Sequence, residues 1–231
     1  MQNNPYEGKW FSVIGDSIST LEGYVPDDYP VYYVGETALL NGVLTPEDTW
    51  WGRIISHLGG RLLCNNSWSG SMASQLPGFD FLFPSGCSDE RTGALGTLEN
   101  TPDVIMLYLG INDYFSALPL QSEVPGDLHA FEQAYPCIIE KLRKNYPNAE
   151  IWCITLCIAS VKNDSEFIFA LSVNDQGIDE FNDIIRNAAK TFDCRVADTF
   201  KYSIPYDSLD GLHPTKAGME TFSNLILKEI L

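Results

Sequence analysis

Four short polar stretches of the sequence contain the side chains that an acyl-transfer reaction requires. They hold Ser17, Gly70, Asn112, and the pair Asp210 and His213. A serine hydroxyl becomes an effective nucleophile when a neighbouring histidine accepts its proton. Asp210 precedes His213 by three residues, so in a tight turn its carboxylate can reach the ring nitrogen that faces away from the serine. These residue types predict nucleophilic catalysis by a serine.

The same reaction needs hydrogen-bond donors for the negatively charged oxygen of its tetrahedral intermediate. We expect these donors to be the backbone N–H groups of Ser17 and Gly70 and the side-chain amide of Asn112. The predicted roles are then nucleophile for Ser17, general base and acid for His213, and orienting carboxylate for Asp210.

Each polar stretch follows a predicted strand or precedes the last predicted helix. Short apolar runs predict five strands, at residues 10–14, 61–65, 104–109, 151–156 and 195–198. Helical patterns alternate with them, which is typical of a parallel sheet covered on both faces. The carboxyl ends of parallel strands meet at one edge of a sheet, so this topology brings together side chains that are far apart in sequence.

Each stretch taken alone also has an ordinary structural interpretation. Ser17 can cap the segment that follows it, and Asn112 can be a turn residue at the end of its strand. Residues 210–214 also have the composition of a helix entrance. Asp198 is an alternative orienting carboxylate, although it lies much farther from His213 along the chain. The ordered occurrence of all four stretches favours catalysis.

Together the four stretches resemble the sequence blocks of the SGNH (GDSL-type) hydrolase family, which contain Ser, Gly, Asn and His. The similar segments are Gly15-Asp16-Ser17, Ser69-Gly70, Gly110-Ile111-Asn112-Asp113 and Asp210-Gly211-Leu212-His213-Pro214. They occur in the family's order and span residues 15–213. The resemblance implies a three-layer α/β/α, flavodoxin-like fold with a mostly parallel five-stranded sheet. It also implies metal-free hydrolysis of acyl esters, with no cofactor.

The first block departs from the longer lipase signature of that family, in which a leucine commonly follows the serine. Here the residues after Ser17 are Ile18, Ser19 and Thr20. This difference favours the branch that acts on small or sugar-borne esters. We therefore expect a serine esterase for short-chain, acetyl-type esters of a small molecule or a carbohydrate. The alternatives are a lipase- or thioesterase-like hydrolase of longer acyl chains and a non-catalytic carbohydrate-binding protein on the same fold.

Composition excludes several other classes of protein. The net charge of −17 repels nucleic acid and anionic membrane surfaces, so neither is an expected partner. No apolar stretch approaches the ~20 residues that a membrane-spanning helix needs. No glycine-rich phosphate loop follows the first strand, which disfavours nucleotide binding. The three histidines are widely separated, so no metal site with zinc spacing is expected.

The remaining predictions concern the organisation of the chain. We expect one hydrolase domain over residues 1–231, with an aromatic-rich loop insertion around 21–44 that is either a surface excursion or a wall over Ser17. Its tyrosines are Tyr24, Tyr29, Tyr32 and Tyr33. Residues 1–6 show no basic patch followed by an apolar core, so a cytoplasmic protein is expected. A secreted protein whose leader was removed is the alternative.

Local signals predict several details of the helices. Thr45 and Pro46 indicate a helix start, and Pro136 predicts a kink or a break in the helix that follows the third strand. Residues 75–100 are expected to be irregular, because glycine, serine and proline are frequent there. His57 and His129 fall on predicted helices, and we interpret both as structural.

Overall fold

The apolar runs that end in polar residues form a central sheet in the computed structural model of the chain, which describes residues 4–78 and 84–231. The strands are β1 (Trp10–Gly15), β2 (Arg61–Asn65), β3 (Val104–Tyr108), β4 (Glu150–Ile154), β5 (Ala159–Val161), β6 (Ser172–Val173), β7 (Gln176–Gly177), β8 (Arg195–Ala197) and β9 (Tyr206–Ser208). Five of them form the sheet in the order β2-β1-β3-β4-β8, and every neighbouring pair is parallel. The predicted five-stranded parallel sheet is confirmed.

Helices cover both faces of this sheet. They are α1 (Gly35–Asn41), α2 (Trp50–His57), α3 (Asp89–Gly93), α4 (Ile111–Phe115), α5 (Phe131–Asn145), α6 (Ile178–Thr191) and α7 (Lys216–Ile230). The chain moves from β1 outward to β2 and then in the opposite direction through β3, β4 and β8. Right-handed crossovers therefore place α2 on one face and α5 and α6 on the other. Accordingly, α2 packs against α7, and α5 packs against α6 and α3.

The register of the central strands sets the position of the polar stretches. Residues 104–108 of β3 are all buried, because helices cover both sides of this strand. In the ladder between β1 and β3, Gly15 is the partner of Tyr108. The two strands therefore end level with each other, and the segments that contain Ser17 and Asn112 leave the sheet from the same edge.

A second, two-stranded sheet leads the chain to the last polar stretch. β5 and β9 pair in parallel, with Ala159 opposite Tyr206 and Val161 opposite Ser208. An isolated bridge between Ser208 and Pro214 then closes the turn that contains Asp210 and His213. This turn lies between β9 and α7, so both elements fix its position.

Two helix starts differ from the sequence-based expectation. Residues 21–44 are not entirely a loop, because α1 lies within them. This helix exposes Leu39 and Leu40, so it lacks the apolar periodicity that would have predicted it. Thr45 and Pro46 do start a helical turn, with Thr45 as its N-cap, but this turn is not the start of α2. Residues 46–48 form a separate 3-10 turn, and α2 begins after Thr49, whose hydroxyl accepts a hydrogen bond from the Gly52 N–H at 3.0 Å.

Three further expectations need correction. Helix α5 continues past Pro136, so the alternative of a break is wrong, while the alternative of a kink stays a prediction. Proline has no N–H, so it donates no helical hydrogen bond to the carbonyl oxygen of Glu132 in the first turn. The irregular segment 75–100 contains α3, while its residues 79–83 lie outside the described residues. His57 ends α2 as expected, but His129 lies in a turn before α5.

The edge of the sheet opposite the polar stretches brings distant parts of the chain together. The Arg195 side chain donates a hydrogen bond to the Tyr6 hydroxyl at 2.7 Å and another to the carbonyl oxygen of Ile230.

The longest helices, α5 and α7, have 15 residues each. Within the described ranges, no helix is both long enough and apolar enough to cross a bilayer.

Candidate active site

Ser17 lies at the carboxyl end of β1, on a 3-10 turn formed by residues 17–19. Asp16 caps this turn, because its Oδ1 accepts the Ile18 N–H at 2.9 Å. A β-carbon on Gly15 would lie 2.5 Å from the Ser19 hydroxyl, so the sharp exit from the strand requires glycine. The Ser17 side chain is thus held at the sheet edge by its own short turn.

The second half of the constellation is the turn that contains Asp210 and His213. His213 Nε2 lies 2.9 Å from Ser17 Oγ, although the two residues are 196 positions apart. His213 Nδ1 lies 2.7 Å from Asp210 Oδ2. A carboxylate at Nδ1 keeps the proton on that nitrogen, so Nε2 is free to accept the serine proton. The structure therefore brings Ser17, His213 and Asp210 into one hydrogen-bonded relay.

The charge of Asp210 is stabilised by its own turn. Its Oδ1 accepts the backbone N–H groups of Leu212 and His213 at 2.9 and 2.8 Å. Burial alone would raise the pKa of Asp210, but the hydrogen bonds from the His213 ring and backbone hold that pKa well below its usual range. The carboxylate is consequently ionised over the whole range of pH in which an imidazole titrates.

Asp198, the alternative carboxylate, is engaged elsewhere. Its Oδ2 accepts the Arg186 guanidinium at 3.0 Å, and its Oδ1 accepts the Thr155 hydroxyl at 3.3 Å. Neither interaction leads to His213, whereas Asp210 contacts its ring directly.

Asn112 and Gly70 meet at the same edge of the sheet. The Asn112 side-chain amide donates to the carbonyl oxygen of Ser71 at 2.9 Å, which joins α4 to the loop after β2. The same loop is tied to the end of β1, because the Trp68 N–H donates to the carbonyl oxygen of Gly15 at 3.1 Å. Among the described residues, the backbone N–H groups of Ser17 and Gly70 have no acceptor and remain available for a ligand oxygen.

Asp113 holds the neighbouring loop rather than facing the relay. Its two carboxylate oxygens accept the backbone N–H groups of Ala73 and Ser74 at 2.8 and 2.9 Å. Asp113 is fully buried, as is Asp16. Burial, reinforced by the charge of Asp113, raises the pKa of Asp16 to about 7, although the Ile18 N–H opposes the shift.

Sequence reasoning missed a buried arginine beneath these loops. Arg91 is fully buried and donates to the carbonyl oxygens of Gly15 and Asn66 at 3.0 and 2.7 Å and to the Ser71 hydroxyl at 2.8 Å. Burial lowers its pKa to about 10. The sequence does contain a signal for α3, the helix to which Arg91 belongs, since Ser88 is a typical N-cap followed by two acidic residues.

The tyrosine-rich segment contacts the relay through one residue. The Tyr32 ring stacks on the His213 ring, with centroids 3.4 Å apart and planes 10° from parallel. Its hydroxyl donates to Asp210 Oδ2 at 3.0 Å. Tyr29 instead packs on Trp68, with ring centroids 4.4 Å apart, and Tyr24 packs near Trp51. Tyr32 therefore forms a wall of the site, whereas Tyr24 and Tyr29 pack against tryptophans outside the relay.

An apolar cavity of about 330 Å³ adjoins the relay at Asp210. Its other lining residues include Phe115, Phe167, Ile168 and Phe169. Phe115 belongs to α4, three residues after Asn112, so the cavity shares an element with the predicted oxyanion site. A larger cavity of about 440 Å³, bordered by Tyr6 and Arg195, contains none of the site residues.

Comparisons with known proteins concern the family and the fold of the chain. A family model described as GDSL-like Lipase/Acylhydrolase matches residues 9–230. None of the curated proteins is similar enough to match the chain.

Solved structures of similar fold cover nearly the whole chain. A candidate GDSL-like lipase from Bacteroides ovatus is 25% identical with a TM-score of 0.73, covering 97% of this chain and 98% of its own. One from Bacteroides uniformis is 26% identical with a TM-score of 0.73, covering 96% and 95%. An acetyl xylan esterase from Geobacillus stearothermophilus is 17% identical with a TM-score of 0.59, covering 98% and 96%, and this likeness concerns the fold alone.

Proposed function

The chain belongs to the GDSL-like lipase and acylhydrolase family, and we propose that it is a serine esterase that cleaves short-chain, acetyl-type esters through an acyl-enzyme. The observation that carries the proposal is the relay from Ser17 Oγ to His213 Nε2 at 2.9 Å and from His213 Nδ1 to Asp210 Oδ2 at 2.7 Å. A binding protein would have no use for a nucleophile, a base and an orienting carboxylate in contact.

In the first half of the reaction, Ser17 Oγ attacks the ester carbonyl carbon while its proton passes to His213 Nε2. The carbonyl π electrons move to the oxygen, and the resulting oxyanion accepts hydrogen bonds from the Ser17 and Gly70 N–H groups and the Asn112 amide. Collapse of the intermediate breaks the bond to the alcohol oxygen, which takes the proton from Nε2. Asp210 stabilises the imidazolium throughout.

In the second half, a water molecule replaces the alcohol. His213 Nε2 accepts a proton from the water as its oxygen attacks the acyl carbon bound to Ser17 Oγ. The second tetrahedral intermediate uses the same donors as the first. Its collapse returns the proton to Ser17 Oγ and releases the carboxylic acid.

The expected substrates are acetyl esters of carbohydrates or of other small polar alcohols. The Tyr32 side chain, which contacts the relay, combines an apolar face with a polar group, which suits a sugar ring. The fold neighbour from Geobacillus stearothermophilus is an acetyl xylan esterase, which adds support at the level of the fold. The net charge of −17 supports small-molecule esters over nucleic acid or anionic membranes as partners.

Covalent labelling tests the proposal directly. A fluorophosphonate should attach to the intact protein at Ser17, as located by mass spectrometry of its peptides. The Ser17→Ala variant should remain unlabelled under the same conditions. A folded wild-type protein that resists the reagent would contradict the esterase proposal and favour a non-catalytic carbohydrate-binding protein.

A second candidate is hydrolysis of longer acyl chains, and the apolar cavity beside Asp210 is the observation that favours it. With Phe115, Phe167 and Phe169 at its walls, the cavity of about 330 Å³ has room for several methylene groups. A series of p-nitrophenyl esters from two to twelve carbons distinguishes the candidates. A kcat/KM that peaks at acetyl supports the first, and one that rises toward the long chains supports the second.

We also propose a single hydrolase domain for the described residues. One continuous hydrophobic core supports it, since this core includes residues of β1, β3, β4 and the helices on both faces.

A further inference from the structure

We infer that Tyr32 is a positioning residue that orients the His213–Asp210 pair and tunes the proton affinity of the imidazole. Its catalytic meaning rests on the proposed esterase function, but its effect on the imidazole does not. Two independent interactions connect this one side chain to the relay, and each involves a different member of the pair.

The first interaction is the ring stack. With centroids 3.4 Å apart and planes 10° from parallel, the phenol covers one face of the imidazole. A flat neighbour at this distance prevents the imidazole from rotating out of line with Ser17. It also stabilises the imidazolium that forms when the serine loses its proton, because a cation is attracted to the face of an aromatic ring.

The second interaction is the hydroxyl bond to Asp210 Oδ2, at 3.0 Å. This oxygen also accepts His213 Nδ1–H, so the phenol and the imidazole share one acceptor. Burial and the charge of Asp210 raise the pKa of Tyr32 to about 12, which keeps its hydroxyl protonated. Because Asp210 Oδ2 accepts both hydrogen bonds, the bond from Tyr32 weakens the electrostatic interaction between Asp210 and the imidazolium.

The backbone around Tyr32 connects it to both halves of the relay. Its N–H donates to the Thr20 hydroxyl at 3.0 Å, and that hydroxyl donates to the carbonyl oxygen of Ser17 at 2.9 Å. The next residue, Tyr33, is buried and donates to the carbonyl oxygen of Pro214 at 2.8 Å. Tyr32 is thus fixed relative to the nucleophile on one side and to the base on the other.

Few other groups can influence this pair. The titratable groups that face it are Ser17 from the turn after β1, Tyr32 and Tyr33 from the segment before α1, and Asp210 from its own turn. Burial raises the pKa of Tyr33, and the charges of Asp210 and Asp16 add to this shift. Within the described residues, no lysine or arginine forms an ion pair with Asp210. Tyr32 is therefore the side chain outside the relay with the most direct effect on it.

Two variants separate the interactions. Tyr32→Phe keeps the stacked ring and removes the hydroxyl, and Tyr32→Leu keeps an apolar cover but removes the aromatic face as well. The measurement is an NMR pH titration of protein labelled with ¹⁵N-histidine. The chain has three histidines, so three imidazole signals are followed. We expect the titration midpoint of His213 to rise in Tyr32→Phe, because Asp210 Oδ2 then serves the imidazole alone. We expect it to lie about half a pH unit lower in Tyr32→Leu than in Tyr32→Phe, the usual effect of one cation–π contact.

Controls are present in the same sample and the same segment. His57 and His129 should titrate identically in all variants, since neither contacts Tyr32 within the described residues. Tyr24→Phe, which alters an outward-facing tyrosine of the same segment, should leave the His213 midpoint unchanged. If the Leu variant fails to fold, the comparison of Tyr32→Phe with the wild type still decides the role of the hydroxyl.

Ester hydrolysis gives the second readout. With p-nitrophenyl acetate, Tyr32→Phe should lower kcat about twofold to tenfold, with a smaller change in KM, because the Asp210 carboxylate loses a hydrogen bond that fixes its orientation. Identical His213 midpoints in the wild type and both variants would overturn the inference. Midpoints that shift as expected in a protein without esterase activity would support the inference and reject the proposed function.

Discussion

At the scale of single residues, the side chains of the proposed site are already in hydrogen-bond contact with one another. The Ser17 hydroxyl is in hydrogen-bond contact with an imidazole whose other nitrogen is occupied by a carboxylate. The Ser17 and Gly70 N–H groups have no acceptor among the described residues, so a substrate oxygen does not have to displace a protein partner. Such preorganisation predicts large effects from small substitutions.

Replacing the nucleophile or the base should remove nearly all activity. We expect Ser17→Ala and His213→Ala each to lower kcat for p-nitrophenyl acetate by a factor on the order of 10⁴–10⁶. The double variant should be little worse than either single variant, because the pair acts as a unit. Circular dichroism should show the wild-type fold in all three.

His57→Ala is the matched control, since His57 is an exposed residue at the end of α2. It should hydrolyse the ester at the wild-type rate. Near-normal turnover by Ser17→Ala or His213→Ala would reject the assigned roles.

Removing the side-chain oxyanion donor should affect the transition state more than the bound substrate. We expect Asn112→Ala to lower kcat by about 10²–10³, with a smaller effect on KM, because the amide acts most strongly once the oxygen is negatively charged. Steady-state kinetics with a short ester measure both constants. Asn187→Ala, on the exposed face of α6, serves as the control. A raised KM with unchanged kcat would make Asn112 a substrate-binding residue instead.

At the scale of elements, the loops that leave the sheet edge are held together from below. Arg91, presented by the short helix α3, donates to the residue that ends β1 and to the loop that follows β2. A guanidinium suits this task because its planar array of donors can serve several carbonyl oxygens at once. Its position links the stability of the loops to the geometry of Ser17.

Replacing that guanidinium with an apolar side chain should therefore affect stability and turnover together. We expect Arg91→Met to lower the free energy of unfolding by about 3 kcal/mol, because the buried carbonyl oxygen of Asn66 loses its donor and that of Gly15 keeps only the Trp68 N–H. We also expect kcat to fall, since Gly15 precedes the nucleophile by two residues. Urea denaturation with an unchanged m-value measures the first effect.

Arg143→Met provides the comparison. Arg143, near the end of α5, also donates to backbone carbonyl oxygens, those of Phe192 and Asp193 just after α6, but it is partly exposed. Water can replace it there, so the variant should lose less stability and keep its kcat. Equal losses in the two variants would contradict a special role for Arg91.

The sequence predicted the elements better than the contacts between their loops. Strands such as β3 are continuous apolar runs, and the parallel topology then implies that the segments after β1 and β3 share one edge. Helix α1 was missed because its exposed leucines give no apolar period. The stack of Tyr32 on His213 and the burial of Arg91 were missed because they join residues far apart in sequence, through loops that have no repeating pattern.

At the scale of the whole molecule, two kinds of carboxyl group make stability depend on pH in opposite directions. Asp210 has a lowered pKa, so the stability it contributes is present above its unfolded value of 3.8 and is lost in stronger acid. Asp16 has a raised pKa of about 7, so the native state holds an extra proton between pH 3.8 and about 7. Its contribution is complete below that window and is lost as the pH rises through it.

Removing the charge of Asp16 should make the free energy of unfolding depend less on pH between pH 4 and pH 8. We expect the wild type to lose up to about 4 kcal/mol more stability than Asp16→Asn between pH 4 and pH 8, since three pKa units correspond to that free energy. Urea denaturation at several pH values measures the difference. The free energy of unfolding of Asp16→Asn should still fall somewhat as the pH rises, because burial also raises the pKa of Asp113.

The control is Asp28→Asn, which neutralises an exposed aspartate in the loop before Tyr29. It lowers the net negative charge by the same amount and should keep the wild-type slope. If both variants flattened the dependence equally, general charge repulsion would be its cause rather than the burial of Asp16.

Tyr6 and Ile230 both contact Arg195 at the edge of the sheet opposite the relay, and this has a consequence for the order of the motifs. A short linker can join Ile230 to Tyr6 there without approaching Ser17, and the exposed loop at 123–126 offers a place to open the chain. The circular permutant made in this way would carry the histidine before the serine in its sequence. It should still hydrolyse esters, because the relay requires proximity in the folded protein and not a particular order along the chain.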